Sequence, residues 1–208
     1  MLRIIGLLLI ISAFGRSAAD DSPSPAWLHN PHAFCQVLSK RTNGAAAPVP
    51  FGKPPRSAFD DYPARPIATP RTDHGGLGKY DWTDRKLFSQ SVKAEISKGP
   101  DFAGRFAILL WSCGTACSNA TIADVQTGKT HDTPFVGIVG CRENGDSETL
   151  RSKAASTLLI AQGSLEMAYG HYFDEGPCGT FYFEWRANRL RLIGCEIPAV
   201  NRPEIMPK

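Results

Sequence analysis

No apolar run in this 208-residue chain reaches the about 18–20 residues that a helix needs to cross a bilayer. The longest in the body of the chain, near Phe106–Trp111 and Thr157–Ala161, are strand-sized, which excludes a helical membrane span there. The chain has no G-x-S-x-G nucleophile elbow and no H-E-x-x-H pair, so two common hydrolase signatures are missing. Thr127-Gly128-Lys129-Thr130 resembles the end of a phosphate-binding loop, but Ala123 stands where that motif needs glycine, and the segment reads as a turn. No repeat period points to a propeller or solenoid. Charge of one sign is also scarce: the formal net charge is +3, which excludes nucleic-acid binding driven by bulk charge.

What is present begins with a leader. Met1-Leu2-Arg3 gives a positive start, Ile4 to Phe14 an apolar core too short to span, and Ser17-Ala18-Ala19 a small-residue cleavage site. The expectation is a signal peptide over 1–19 and an exported protein, periplasmic or secreted, of 189 residues and charge +1. Between Asp20 and Pro70 lie 10 of the chain's 16 prolines. Proline lacks an N–H and fixes φ, so residues 20–80 read as an extended arm. Within it Asn30 can cap a short helix near 31–40, with Pro31 at the first position and Phe34, Val37 and Leu38 on one face.

The α+β domain is placed at 81–198, with a tail over 199–208. Phe88, Val92 and Ile96 recur at four-residue spacing between a Thr83-Asp84 cap and a Gly99-Pro100 stop, which predicts the main helix at Thr83–Lys98. Six strands are predicted after it: Arg105–Ser112, Thr121–Gln126, Thr133–Val139, Ser156–Gln162, Thr180–Arg186 and Arg189–Ile193. The last two form the clearest hairpin, with Phe181, Phe183 and Trp185 alternating against Leu190 and Leu192 across an Ala187-Asn188 turn. Thr127-Gly128 supplies another turn. The fold class is therefore α+β: an antiparallel sheet of about six strands, disulfide-stapled, with both helices covering one face.

Six cysteines behind a leader imply disulfides. Cys178 and Cys195 flank the last hairpin at near-equal distances from its turn, and Cys113 and Cys117 close the base of a loop. Those two pairings leave Cys35 with Cys141.

The loop Cys113-Gly114-Thr115-Ala116-Cys117 is the strongest local feature. A loop closed by its own disulfide loses little entropy on binding, which makes Gly114, Thr115 and Ala116 candidate binding residues; the plainer reading is that the bridge rigidifies a hairpin end. A thioredoxin-type redox motif has two residues between its cysteines, and this loop has three. His29, His32 and Cys35 have metal-like spacing, but Pro31 breaks their register and an oxidised Cys35 offers no thiolate. His171, Asp174, Glu175 and Cys178 read as a solvated surface loop. Asp20-Asp21 and Asp60-Asp61 are paired in sequence only, on proline-rich chain. No metal and no cofactor is expected.

The runs Gly99-Pro100-Asp101-Phe102-Ala103-Gly104, Trp111-Ser112-Cys113-Gly114-Thr115-Ala116-Cys117 and Cys178-Gly179-Thr180-Phe181-Tyr182-Phe183-Glu184-Trp185 resemble a family of uncharacterised exported proteobacterial proteins. Members share G-P-N-F-A-G, W-G-C-G-T-x-C and C-G-T-x-Y-x-x-W. The likeness spans roughly Phe59 to Ile193 and departs at Asp101 and Ser112. It implies export and fold, and brings no activity. A more distant architectural likeness is to the periplasmic inhibitors of vertebrate-type lysozyme, which also run strand, disulfide-closed loop, strand, turn, strand. Their loop is one residue longer and carries a histidine that Gly114-Thr115-Ala116 lacks, so only architecture carries over.

The reading that follows is an exported, non-enzymatic binding module presenting the closed loop to a protein or glycan partner, inhibition of a cell-wall hydrolase being one form of this. The alternatives are an exported enzyme using a free thiol or a His/Asp metal site, and a structural envelope protein tethered by the arm. In the last case deletion of Asp20–Thr69 leaves a folded sheet domain.

Overall fold

The computed structural model describes residues 27, 30–44, 51–65, 85–114, 117–141, 149–169 and 172–198. The expected leader, the C-terminal tail and residues 66–80 of the arm lie outside them. Asn30 caps the first helix, its Oδ1 accepting from the Ala33 N–H at 3.0 Å with Pro31 at the first helical position. This helix, α1 (Pro31–Asn43), runs a turn beyond the expected end. Tertiary contacts extend it: the Leu192 N–H donates to Thr42 Oγ1 (3.1 Å) and Asn43 Nδ2 to the Leu192 carbonyl (2.9 Å). Gly44, at φ 67°, ends it. The second helix, α2, spans Arg85–Ser97 and stops at Gly99, φ 92°. Its expected Thr83-Asp84 cap and the side chains of Leu87 and Phe88 lie outside the described residues.

Seven antiparallel strands form one sheet: β1 (Phe106–Gly114), β2 (Cys117–Asp124), β3 (Thr130–Val139), β4 (Thr149–Arg151), β5 (Leu158–Tyr169), β6 (Tyr172–Arg186) and β7 (Arg189–Glu196). Their order is β1-β2-β3-β5-β6-β7, and β4 pairs with β5 beside β3. Ring centroids of Phe106 on β1 and Trp185 on β6 are 4.7 Å apart. Three strands intervene, and a flat sheet would separate the two by about 19 Å. The sheet is therefore rolled, and its inner face closes on itself.

Alternation along each strand sorts the two faces. Phe106, Ile108, Ile122, Leu159, Phe181 and Phe183 point inward and bury against Phe34 and Leu38 of α1, both fully buried. Ala107, Leu109, Ala123 and Val125 point outward and carry Val92 and Ile96 of α2. The helices thus cover opposite faces rather than one, and α1, expected to be minor, plugs the inner core. A third cluster on the outer face joins Leu158, Ile160 and Tyr182 to Phe59 and Tyr62 of the arm.

The arm packs as structure. Gly52 exchanges backbone hydrogen bonds with Cys195 at 2.8 and 3.0 Å along the β7 edge. Ser156 Oγ donates to the Phe59 and Tyr62 carbonyls, and Ala64 N–H to Ala155. The F-A-G run lies next to this contact: Phe102 is fully buried edge-on to Trp185, and Ala103 and Gly104 both take positive φ. A Cβ on Gly104 would collide with the Arg65 carbonyl.

All six cysteines are bridged, with pairings Cys35–Cys195, Cys113–Cys117 and Cys141–Cys178. The expected Cys178–Cys195 and Cys35–Cys141 bridges are corrected. Cys195 lies across from Phe181 on the inner face, whereas Cys178, three residues before Phe181, faces the other way. Equal distance from a turn does not put two side chains on one face.

Candidate functional site

The β1–β2 hairpin pairs continuously from Phe106↔Asp124 to Ser112↔Ser118, then shifts register before Gly114↔Cys117. Gly114 adopts φ 149°, a value that side chains rarely take, and Ser112 Oγ donates to its carbonyl at 3.1 Å. The Cys113–Cys117 bond closes the tip with a Cα separation of 5.2 Å. Of the three expected binding residues, Gly114 is exposed at this tip, and Thr115 and Ala116 lie outside the described residues.

Below the tip, Leu110 is 52% exposed although its position on β1 is an inner-face one. Among the described strands β1 pairs only with β2, so its other edge ends the sheet. Trp111, half-buried, packs beside the α2 cluster. With the Asn119 amide oriented to satisfy its neighbours, its oxygen accepts from Trp111 Nε1 (3.1 Å) and its nitrogen donates to the Val136 carbonyl (2.8 Å).

A single cross-strand row continues from here: Trp111, Asn119, Gly137, Glu166 and Glu175 are successive ladder partners. The lack of a side chain at Gly137 makes room, since a Cβ there would lie 2.9 Å from Glu166 Oε2 and 3.2 Å from the Asn119 amide. Burial first, and then the neighbouring Glu175 charge, push the Glu166 carboxyl above its ordinary value.

The opposite end of the sheet holds polar chemistry that the sequence reading passed over. A cavity of about 650 Å³ is lined by Arg65, Arg105, Asp124, Lys129, His131 and Asn188, among others. Arg105 grips Asp124 bidentately, Nε to Oδ1 at 2.8 Å and Nη2 to Oδ2 at 2.5 Å. Burial raises the Asp124 carboxyl, but the Arg105 guanidinium, the Gln126 N–H and the Thr127 hydroxyl outweigh it and hold the group below its ordinary value. The His131 ring sits edge-on to Phe106 and Trp185, at 5.7 and 5.4 Å. Its burial, then the Lys129 charge, lower its affinity for a proton against the pull of Asp124 and Asp132. The only trace of this site in the sequence was Thr127-Gly128-Lys129, whose turn is confirmed by φ 72° at Gly128.

His32 stacks edge-on to Phe51 at 5.5 Å, while His29, His171 and the side chain of Asp174 lie outside the described residues. Among the described residues no three His, Cys, Asp or Glu side chains are grouped to hold a metal. The free-thiol alternative is overturned, since no cysteine is free. No helix among the described residues is long and apolar enough to cross a membrane. Three disulfides are compatible with an exported protein. No protein-family model matches the chain, and no curated protein or solved structure is significantly similar to it.

Proposed function

We propose that this chain is an exported, non-enzymatic binding module, periplasmic or secreted, that engages a protein or glycan partner through the end of the β1–β2 hairpin. The observation that carries the reading is a covalently closed hairpin tip with a large apolar side chain, Leu110, left 52% exposed on the edge strand that leads to it. A preformed tip binds without a large ordering cost, and the exposed Leu110 below it on the edge strand offers apolar area to a partner. The resemblance to exported proteobacterial proteins and the strand, closed loop, strand order shared with lysozyme inhibitors support the same reading. One form of it is inhibition of a cell-wall hydrolase.

The test uses purified peptidoglycan sacculi and a muramidase that clears them. The full mature chain is expected to co-sediment with sacculi or to slow their clearing. Leu110→Arg and Thr115→Arg are each expected to weaken that effect by about tenfold or more with an unchanged melting temperature. Undiminished binding in both variants removes the hairpin from the function. A wild-type chain that neither sediments with sacculi nor slows the muramidase removes the wall-hydrolase form.

A further inference from the structure

We infer a second binding site, for a small ligand carrying an oxyanion, phosphate or carboxylate, in the cavity between the start of β1 and the β6–β7 turn. It lies at the far end of the sheet, about 30 Å along β1 from the disulfide-closed tip, and it does not depend on the hairpin reading. Three cations line it, Arg65, Arg105 and Lys129, against one carboxylate, Asp124. That carboxylate is already committed: two Arg105 N–H groups and the Gln126 N–H (2.9 Å) donate to it. Asp124 therefore fixes the guanidinium in place and leaves its other N–H groups to a ligand, as a bidentate pair does when it pre-organises an arginine.

The local balance remains positive by two, from Arg65 and Lys129, both exposed. Arg186 and Arg189, which flank the lining residue Asn188 on the adjoining turn, are exposed as well and add to the same field. Asp132, the next residue on β3, alternates to the other face and lines a different depression beside Trp111. The volume, about 650 Å³, is that of a pocket for a metabolite-sized molecule. Phe106 and His131, edge-on to each other at 5.7 Å, also line it and add ring surface beside the charges, with Trp185 packed against both rings.

The test is a titration of the full mature chain with inorganic phosphate, glucose 6-phosphate, glucuronate and glucose, read at the His131 ring and Arg105 Nε resonances. Saturable shifts are expected with an anionic probe and not with glucose. Binding of phosphate and glucose 6-phosphate alone assigns a phosphate ligand, binding of glucuronate alone a carboxylate, and binding of all three the shared oxyanion chemistry. The Arg65→Gln, Lys129→Gln double variant changes two exposed side chains and is expected to bind at least about tenfold more weakly. Salt at about 0.5 M should weaken the wild type comparably, because the charges lie at the surface, and that arm needs no variant. Absence of saturable shifts up to about 10 mM of every anionic probe, equal binding of glucose, or affinity indifferent to both the variant and salt overturns the site.

Discussion

Asp124 and Glu166 are carboxylates on one sheet, and their surroundings drive them in opposite directions. Asp124 is lowered by its partners, so it binds protons less readily folded than unfolded. Its contribution to stability is present above the unfolded carboxylate value and is lost as pH falls below about 4. Asp124→Asn keeps the shape, loses the ion pair, and is expected to cost about 1–2 kcal/mol at neutral pH, discounted because the Arg105 side chain is 43% exposed. The variant should lose the wild type's extra sensitivity to acid. Glu166 is raised, so the folded state holds its proton more tightly. Its favourable contribution is present at low pH and disappears as pH rises through the folded value. Glu166→Gln should therefore raise the melting temperature at neutral pH by about 1–3 °C and leave it unchanged in acid. Thermal melts of both variants across pH check the pair, and a Glu166→Gln protein that melts lower at neutral pH contradicts the account of a carboxylate raised by burial and by its Glu175 neighbour.

At the scale of elements, the β6–β7 hairpin turns on Ala187 and Asn188, with φ 53° and 59° and Arg186 paired to Arg189. Two consecutive positive φ values define a two-residue turn whose twist matches the strands, a geometry in which asparagine is at home and alanine is strained. Ala187→Asn is expected to stabilise the protein by about 0.5–1 kcal/mol, read as a higher denaturation midpoint at unchanged slope. This hairpin was legible because Phe181, Phe183 and Trp185 alternate without interruption. Other boundaries were not. β5 and β6 run on through Gly163, Gly176 and Gly179, which look like strand breakers. Gly163 and Gly179 serve instead where a Cβ would meet a neighbouring strand's backbone, and Gly176 where it would meet the Phe34 ring. β4 is three residues long, below what any pattern can carry. The closed tip of β1–β2 was visible from cysteine spacing alone. The cation-lined cavity was not, because Arg65, Arg105, Lys129 and Asn188 come from four separate segments that only the rolled sheet brings together.

For the whole molecule, the proline-rich stretch decides how stability is distributed. Proline content argues against long helices and central strands but says nothing about packing, and the described part of the segment supplies the 13-residue α1 and contacts to both sheet faces and the β7 edge. Phe34 and Leu38 fill the inner core, Phe59 and Tyr62 cover the outer face of β5 and β6, and Gly52 pairs with the β7 edge. The Cys35–Cys195 bridge fastens this stretch to the sheet across 160 residues of sequence, a closure worth about 5 kcal/mol in the chain-entropy model. A tether would be dispensable. Deleting residues 20–69 here exposes the ring of Phe181, which stacks on Phe34 at 5.8 Å, and leaves Cys195 without its partner. The deleted chain is expected to lose cooperative unfolding and near-ultraviolet circular dichroism. The Cys35→Ala, Cys195→Ala double variant should still fold, with stability reduced by about 3–5 kcal/mol in a denaturant titration. A deleted chain that melts cooperatively would make the stretch an appendage, and the structural envelope reading would then regain its tether.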